Sequence, residues 1–217
     1  MSFTKSFLLA IAFITITISS AYADVFYWQD KESKLSLTFP DRWRVVHGQK
    51  PDEVLAIMAP GVNDHAGCRM RVRDDKRFVI YPRHLEPQVQ RVNFSRKFWE
   101  DYVGEFDEAQ LIETRDNAGL SYGHAGYAQA SFISTSGPRV EKRALMLASV
   151  YNGKRYVFEC SAEKESYAKW YRPFLSILKS VSFRQENHKY MDGDYRNFMA
   201  DAPLYVHGAT RADLYEH

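Results

Sequence analysis

The sequence predicts an α/β protein of the α+β type, in which hairpin-forming strands and amphipathic helices share one domain. Apolar and polar residues alternate at 35–39 and at 68–73, which is typical of half-buried strands. Asn152-Gly153 separates two apolar segments, which is the strongest short-range signal of a β-hairpin. Apolar residues recur at helical spacing within 98–106 and within 167–178, so helices accompany the strands.

The first predicted strands lie before residue 60. Leu35 to Phe39 alternates, Pro40-Asp41 interrupts the pattern, and Trp43 to Val45 resumes it, so we expect an opening hairpin. Val54 to Met58 is a short apolar strand that ends at Pro60-Gly61.

The middle of the chain mixes both kinds of element. We assign residues 78–92, which contain two prolines, only as a loop with a helical turn. Ser95 is a predicted N-cap for an amphipathic helix from about Arg96 to Phe106. Two strands follow, at Ala109 to Thr114 and at Gly126 to Ser134.

The last elements of the predicted domain are a hairpin and a helix. The hairpin joins Ala144–Tyr151 to Lys154–Cys160. Ser161 is a predicted cap for a helix that begins near Ala162 and is kinked or broken at Pro173. The expected buried stripe of this helix is Tyr167, Trp170, Tyr171, Phe174 and Leu178. Val181 and Phe183 then close the domain.

Residues 1–23 have the pattern of a cleavable signal peptide. Lys5 is followed by a 12-residue apolar run and by the small-x-small site Ala21-Tyr22-Ala23. The run is too short to span a membrane, which takes about 20 residues. We therefore expect a periplasmic or secreted protein that starts at Asp24 and has no stable membrane insertion. An uncleaved signal anchor is the alternative.

We divide the rest of the chain into a domain, 24–184, and a C-terminal tail, 185–217, that is partly ordered. The domain carries 25 basic and 21 acidic residues, and the tail carries 3 and 6. The opposite net charges favour contact between them, so we expect the tail to dock on the domain. The nearly balanced total gives no electrostatic case for nucleic-acid binding.

The order of elements resembles the PsbP-like domain, an α/β/α sandwich. This family includes the PsbP subunits of photosystem II, Ran-binding import factors and bacterial DcrB-type periplasmic proteins. The resemblance rests on 35–40 with Trp43, on 151–158, and on 167–183. It implies an antiparallel sheet between helices and a role in protein assembly or stabilisation, without a shared enzymatic activity. The chain lacks the lipid-attachment cysteine of many bacterial relatives, and its 33-residue tail has no counterpart known to us.

The two cysteines, Cys68 and Cys160, are predicted to form a disulfide. Both lie on predicted strands with their side chains inward, in a chain expected to reach an oxidising compartment. Closing so long a loop should stabilise the fold by about 4 kcal/mol. Two buried free thiols are the alternative.

The strand at 68–73 also carries a row of arginines on its other face: Arg69, Arg71 and Arg73. One interpretation is a site for an anion or an acidic partner. The other, which we favour, is a solvated or salt-bridged face beside Asp74 and Asp75.

The sequence shows no signature of catalysis, of a metal site or of a cofactor. The seven histidines lack metal-binding spacing, and Asp64-His65 is better interpreted as a surface turn than as a metal ligand pair. We therefore predict no catalytic residues, no metal and no cofactor.

Two functions remain open. The first is an exported, non-enzymatic binding or assembly module that docks on an envelope or periplasmic protein through a sheet edge, the tail or an aromatic surface. The alternative is a small periplasmic hydrolase or ligand-binding enzyme whose polar residues converge only in three dimensions. A shallow apolar surface would support the first, and a pocket with converging titratable groups would support the second.

Overall fold

The computed structural model describes residues 24–47, 50–61, 63–76, 85–121, 123–135, 137–151 and 153–184, with the side chain of Asn117 excepted. Within this part of the chain, ten strands form two antiparallel sheets and three helices pack against them. The predicted signal peptide, residues 1–23, and the predicted tail, residues 185–217, lie outside the described residues.

The smaller sheet has three strands in the order β1-β2-β10. They are β1 (Val25–Asp30), β2 (Leu35–Pro40) and β10 (Ser182–Phe183). The alternation of β2 buries Leu35, Leu37 and Phe39 almost completely. β10 pairs with the start of β2, and Phe183 is 3% exposed.

The larger sheet has seven strands in the order β3-β4-β5-β9-β8-β7-β6. The strands are β3 (Arg44–Val46), β4 (Glu53–Met58), β5 (Gly67–Asp74), β6 (Asp107–Leu120), β7 (Gly123–Ile133), β8 (Glu141–Tyr151) and β9 (Lys154–Glu163). The predicted strands in these regions are confirmed, although the structure extends several of them, β6 and β7 most of all.

The predicted opening hairpin is wrong. β2 pairs with β1 and β10, whereas β3 pairs with β4 in the larger sheet. The turn at Pro40-Asp41, where the Trp43 amide donates to the Pro40 carbonyl at 2.9 Å, carries the chain from one sheet to the other. β2 is flanked by β1 and β10 in the smaller sheet, so neither of its edges is left for β3.

The predicted hairpin of β8 and β9 is confirmed. Tyr151 pairs directly with Lys154, which leaves a two-residue connection. Gly153 has a φ of 70°, the left-handed conformation that a glycine adopts without a Cβ penalty. Asn152 lies outside the described residues.

The three helices are α1 (Glu86–Asn93), α2 (Arg96–Val103) and α3 (Tyr167–Lys179). α1 lies where we assigned only a helical turn. Ser95 is the N-cap residue of α2 as predicted, although its side chain makes no capping hydrogen bond. α2 ends at Val103, three residues before its predicted end.

The predicted helix start near Ala162 is wrong. Ser161 pairs with Gly67 and Ala144 on either side, so β9 continues to Glu163. α3 begins at Tyr167 and continues past Pro173 instead of breaking there. Phe174, Ile177 and Leu178 are at most 1% exposed, so packing of the second half of α3 offsets the hydrogen bond that proline cannot make.

The larger sheet is buried on both faces, which confirms the predicted sandwich. α3 and the smaller sheet cover one face, with a core that includes Phe158 and Phe174. α1 and α2 cover the other face, with a core that includes Trp99 and Met146. A Cβ at Gly126 would lie 2.5 Å from the Cβ of Phe94, so glycine allows the junction of α1 and α2 to approach β7 closely.

Cys68 and Cys160 form a disulfide. They lie directly opposite each other on β5 and β9, and both are at most 3% exposed. The inward orientation that the alternation predicted is confirmed. Both sulfurs lie in the core under α3, on the face of the sheet opposite the arginine row.

Candidate functional site

The first candidate site is β1, which exposes a run of large apolar residues. Val25 is 63% exposed, Phe26 49% and Tyr27 59%. Within the described part of the chain, β1 pairs only with β2, so its other edge is open. Several exposed apolar side chains on one edge strand favour an interaction site.

The register shows which backbone groups of β1 face the open edge. The amide of Asp41 donates to the carbonyl of Asp24, so position 24 faces β2. Tyr27 lies opposite Thr38, whose amide and carbonyl are both bonded to the Ser180 hydroxyl on the far side of β2. The N–H and C=O groups of successive residues point alternately to the two edges of a strand. The backbone groups that face the open edge therefore belong to Val25, Tyr27 and Gln29.

The two edge strands of the larger sheet carry features that discourage strand pairing. β6 has three interruptions of its register with β7 and carries several charged residues, among them Asp107, Glu108 and Asp116. β3 is only three residues long and begins with Arg44. β1 is regular in register and has no lysine, arginine or proline. Its edge therefore lacks the usual protection against an added strand.

β1 was not assigned from the sequence. Residues 25–30 have no alternation, because both faces of the strand are partly exposed. A signal was nevertheless present, since Val25-Phe26-Tyr27-Trp28 is rich in β-favouring residues and precedes a polar turn.

The second candidate site is the arginine row on β5, which the structure places beneath α2. Arg71 is only 6% exposed, so of the two forms of the favoured interpretation, a solvated face or a salt-bridged face, its surroundings have the salt-bridged form. Its Nε donates to Asp52 Oδ2 at 2.9 Å, and its Nη1 donates to Glu105 Oε2 at 2.9 Å. The Arg71 guanidinium also lies over the Tyr102 ring, 5.3 Å from its centroid.

The neighbouring arginines are paired as well. Arg73 shares the Asp52 carboxylate with Arg71, and Arg69 lies 3.6 Å from Glu53 and 3.7 Å from Glu159. The expected partner Asp74 instead pairs with Lys154. The row is salt-bridged as predicted, but with carboxylates that are distant in the sequence.

The hydrogen bonds of this network shift several pKa values. Burial would raise the pKa of Asp52, but hydrogen bonds from Arg71 and Arg73 hold it below its usual value. Burial and Glu159 raise the pKa of Tyr102, whose hydroxyl donates to Glu159 at 3.0 Å. The network is therefore built to hold Arg71 and Asp52 in their charged forms.

This network predicts a loss of stability in acid. The pKa of Glu105 is also low, because hydrogen bonds from Lys50 and Arg71 outweigh burial. Carboxyls with depressed folded pKa values stabilise the fold fully above their unfolded values and lose that contribution as the pH falls through the folded values. We expect the free energy of unfolding to drop below about pH 4. Urea unfolding at several pH values should show a shallower drop for Asp52→Asn, and an identical drop would contradict this assignment.

The residues around Asp64-His65 do not form a metal site in the part of the chain that the structure describes. Asp64 accepts hydrogen bonds from Lys169 at 2.6 Å and from the Trp170 indole at 2.9 Å. No three histidine, cysteine, aspartate or glutamate side chains cluster as a metal would require, again among the described residues. Asp64 therefore anchors its loop to the first turn of α3.

No described helix is long and apolar enough to cross a membrane.

The arrangement of sheets and helices defines an α+β protein with a PsbP-like fold. The solution structure of cyanobacterial PsbP (CyanoP) from Synechocystis sp. PCC 6803 aligns with 76% of this chain and 95% of its own, with a TM-score of 0.50 and 16% identity. Two further solved structures align with a TM-score of 0.44. LpqN of Mycobacterium tuberculosis, involved in cell envelope biogenesis, is 12% identical over 73% of this chain and 90% of its own. The Ran-binding protein Mog1p of Saccharomyces cerevisiae is 4% identical over 75% and 96%. At such low sequence identities, structural similarity shows a shared fold and nothing more. No family model and no curated protein matches the sequence.

Proposed function

We propose that the protein is an exported, non-enzymatic binding module that docks on an envelope protein through β1. An extended segment of the partner adds a strand to the open edge. The observation that carries this proposal is the combination, on one strand, of outward backbone groups and three exposed apolar side chains. In strand addition the backbone supplies affinity and the alternating side chains supply specificity.

Export is part of the proposal. The disulfide between Cys68 and Cys160 supports it, because such bonds persist in oxidising compartments. Cleavage of residues 1–23 would place the new N-terminus, Asp24, immediately before β1. The docking strand would then lie at the free end of the mature chain.

The enzymatic alternative draws less support from the described residues. Titratable groups do converge beneath α2, but Asp52, Arg71 and Glu105 converge on one another. A general acid or base must reach the proton it transfers, and these groups are engaged in the folded network.

Substitutions at Tyr27 test the docking surface. Tyr27→Pro removes an amide that faces the open edge, and proline is tolerated on an edge strand in that orientation. Tyr27→Lys keeps the amide but adds the charge that protects natural edges. We expect both variants to capture about tenfold less of the partner from envelope extract, measured by quantitative mass spectrometry.

Ile112→Lys is the matched control. Ile112 is a 47% exposed apolar residue on the edge strand β6, so the same substitution there should leave capture unchanged. Each variant should melt close to the wild-type temperature. Equal capture by the wild type and both Tyr27 variants would refute the proposal.

Two other occupants of the edge would also overturn the proposal. If the protein's own tail occupied β1 instead of a partner, the Tyr27 and Gln29 amides of the full chain would be protected from hydrogen exchange without any partner, and truncation after Arg184 would remove that protection without increasing capture. Sedimentation would show a dimer, abolished by Tyr27→Pro, if a second copy of the chain covered it.

A further inference from the structure

A pocket of about 250 Å³ lies between α2 and the face of the larger sheet that carries the arginine row. Phe98, Tyr102 and Val157 form its apolar wall. Its polar wall includes Arg73 and Arg155, and the Arg155 guanidinium lies over the Phe98 ring, 5.7 Å from its centroid. The pocket thus combines aromatic surface with guanidinium groups.

Arg73 and Arg155 lie directly opposite each other on β5 and β9. Like charges at directly opposed positions repel, and such pairs destabilise a sheet. The Asp52 carboxylate contacts Arg73 but also pairs with Arg71, so it is divided between two guanidinium groups. Each guanidinium carries five N–H donors, so an anion between Arg73 and Arg155 can accept hydrogen bonds from both.

The carboxylates around the pocket already have cationic partners. Glu105 pairs with Arg71 and Lys50, and Asp101 pairs with Lys97 at 3.0 Å on the outer surface of α2. They therefore repel an incoming anion less than their number suggests.

We propose that this pocket binds a small organic anion with an apolar body. The carboxylate or phosphate group lies between Arg73 and Arg155, because a guanidinium is suited to bidentate contacts with either group. The apolar body lies against Phe98 and Tyr102. A cavity of about 150 Å³ holds one benzene ring, so about 250 Å³ accommodates a ring with an anionic substituent.

This site is independent of the docking edge. The pocket lies on the face of the larger sheet that α2 covers, whereas β1 belongs to the smaller sheet on the other face. Loss of one activity should therefore leave the other intact.

Nuclear magnetic resonance titration of the exported protein tests the proposal. The probes are benzoate and phenyl phosphate, which distinguish a carboxylate from a phosphate preference. Benzyl alcohol supplies the ring alone, and inorganic phosphate supplies the anion alone. We expect saturable shifts of the amides of Phe98, Arg73 and Arg155 with at least one ring-bearing anion, and weaker binding of both controls.

Arg155→Met should weaken binding of the preferred probe by about tenfold, because one of the two guanidinium groups is lost. Arg96→Met is the matched control, since Arg96 is an exposed arginine on α2 outside the pocket lining. The spectra themselves report whether each variant is folded. The proposal is overturned if neither ring-bearing anion gives saturable shifts, if inorganic phosphate binds equally well, or if Arg155→Met binds like the wild type.

Discussion

Replacement of both cysteines by alanine is expected to lower the free energy of unfolding by about 4 kcal/mol. Cys68 and Cys160 are 92 residues apart, so the bridge removes much conformational freedom from the unfolded chain. Both positions lie in the core between the larger sheet and α3, where the lost sulfurs also leave packing unfilled. Urea unfolding of Cys68→Ala/Cys160→Ala against the oxidised wild type measures the difference.

Chemical reduction of the wild type provides the control for this result. Reduction opens the same loop without changing the side-chain carbons, so it should account for most of the loss. If the double variant and the wild type unfold at the same urea concentration, the bridge contributes nothing to stability and the account of the core is wrong.

Arg71→Met should cost about 2 to 3 kcal/mol of stability. The substitution keeps the aliphatic part of the side chain but removes a 6% exposed charge that bonds both Asp52 and Glu105. Asp52 retains Arg73 and Glu105 retains Lys50, so the cost should be at or below the roughly 3 kcal/mol that marks the lower end for breaking a buried ion pair.

Arg73→Met is the matched control, because it removes the same group from the same face of the same strand. The Arg73 side chain is 51% exposed, so its loss should cost less than about 1 kcal/mol. Thermal and urea unfolding of the two variants should therefore differ clearly. Equal effects would contradict a special role for the burial of Arg71.

Local patterns predicted some of the elements whose partners are near in the sequence, although β1, which pairs with the neighbouring β2, was missed. The hairpin of β8 and β9 follows from Asn152-Gly153, and the burial of Cys68 and Met70 follows from the alternation of β5. Each of these signals is contained within a few residues, and the local structure it predicts is the one observed.

Two of the failures concern contacts between distant residues. Nothing near the Pro40-Asp41 turn indicates that the following strand joins another sheet. Likewise, the hydrogen-bond acceptors of Arg71 are Asp52 and Glu105, which are 19 and 34 residues away in the sequence. The sequence favoured a face salt-bridged beside Asp74 and Asp75. Asp74 instead lies opposite Lys154 on the paired strand.

Amide hydrogen exchange on the complex with the captured partner tests the docking edge most directly. The edge-facing amides of Tyr27 and Gln29 should exchange at least about tenfold more slowly in the complex, because an added strand accepts their hydrogen bonds. The amides of Phe26 and Trp28 face β2 and should change little. Protection elsewhere on the protein, with unchanged exchange at Tyr27 and Gln29, would contradict the proposal that β1 is the docking strand.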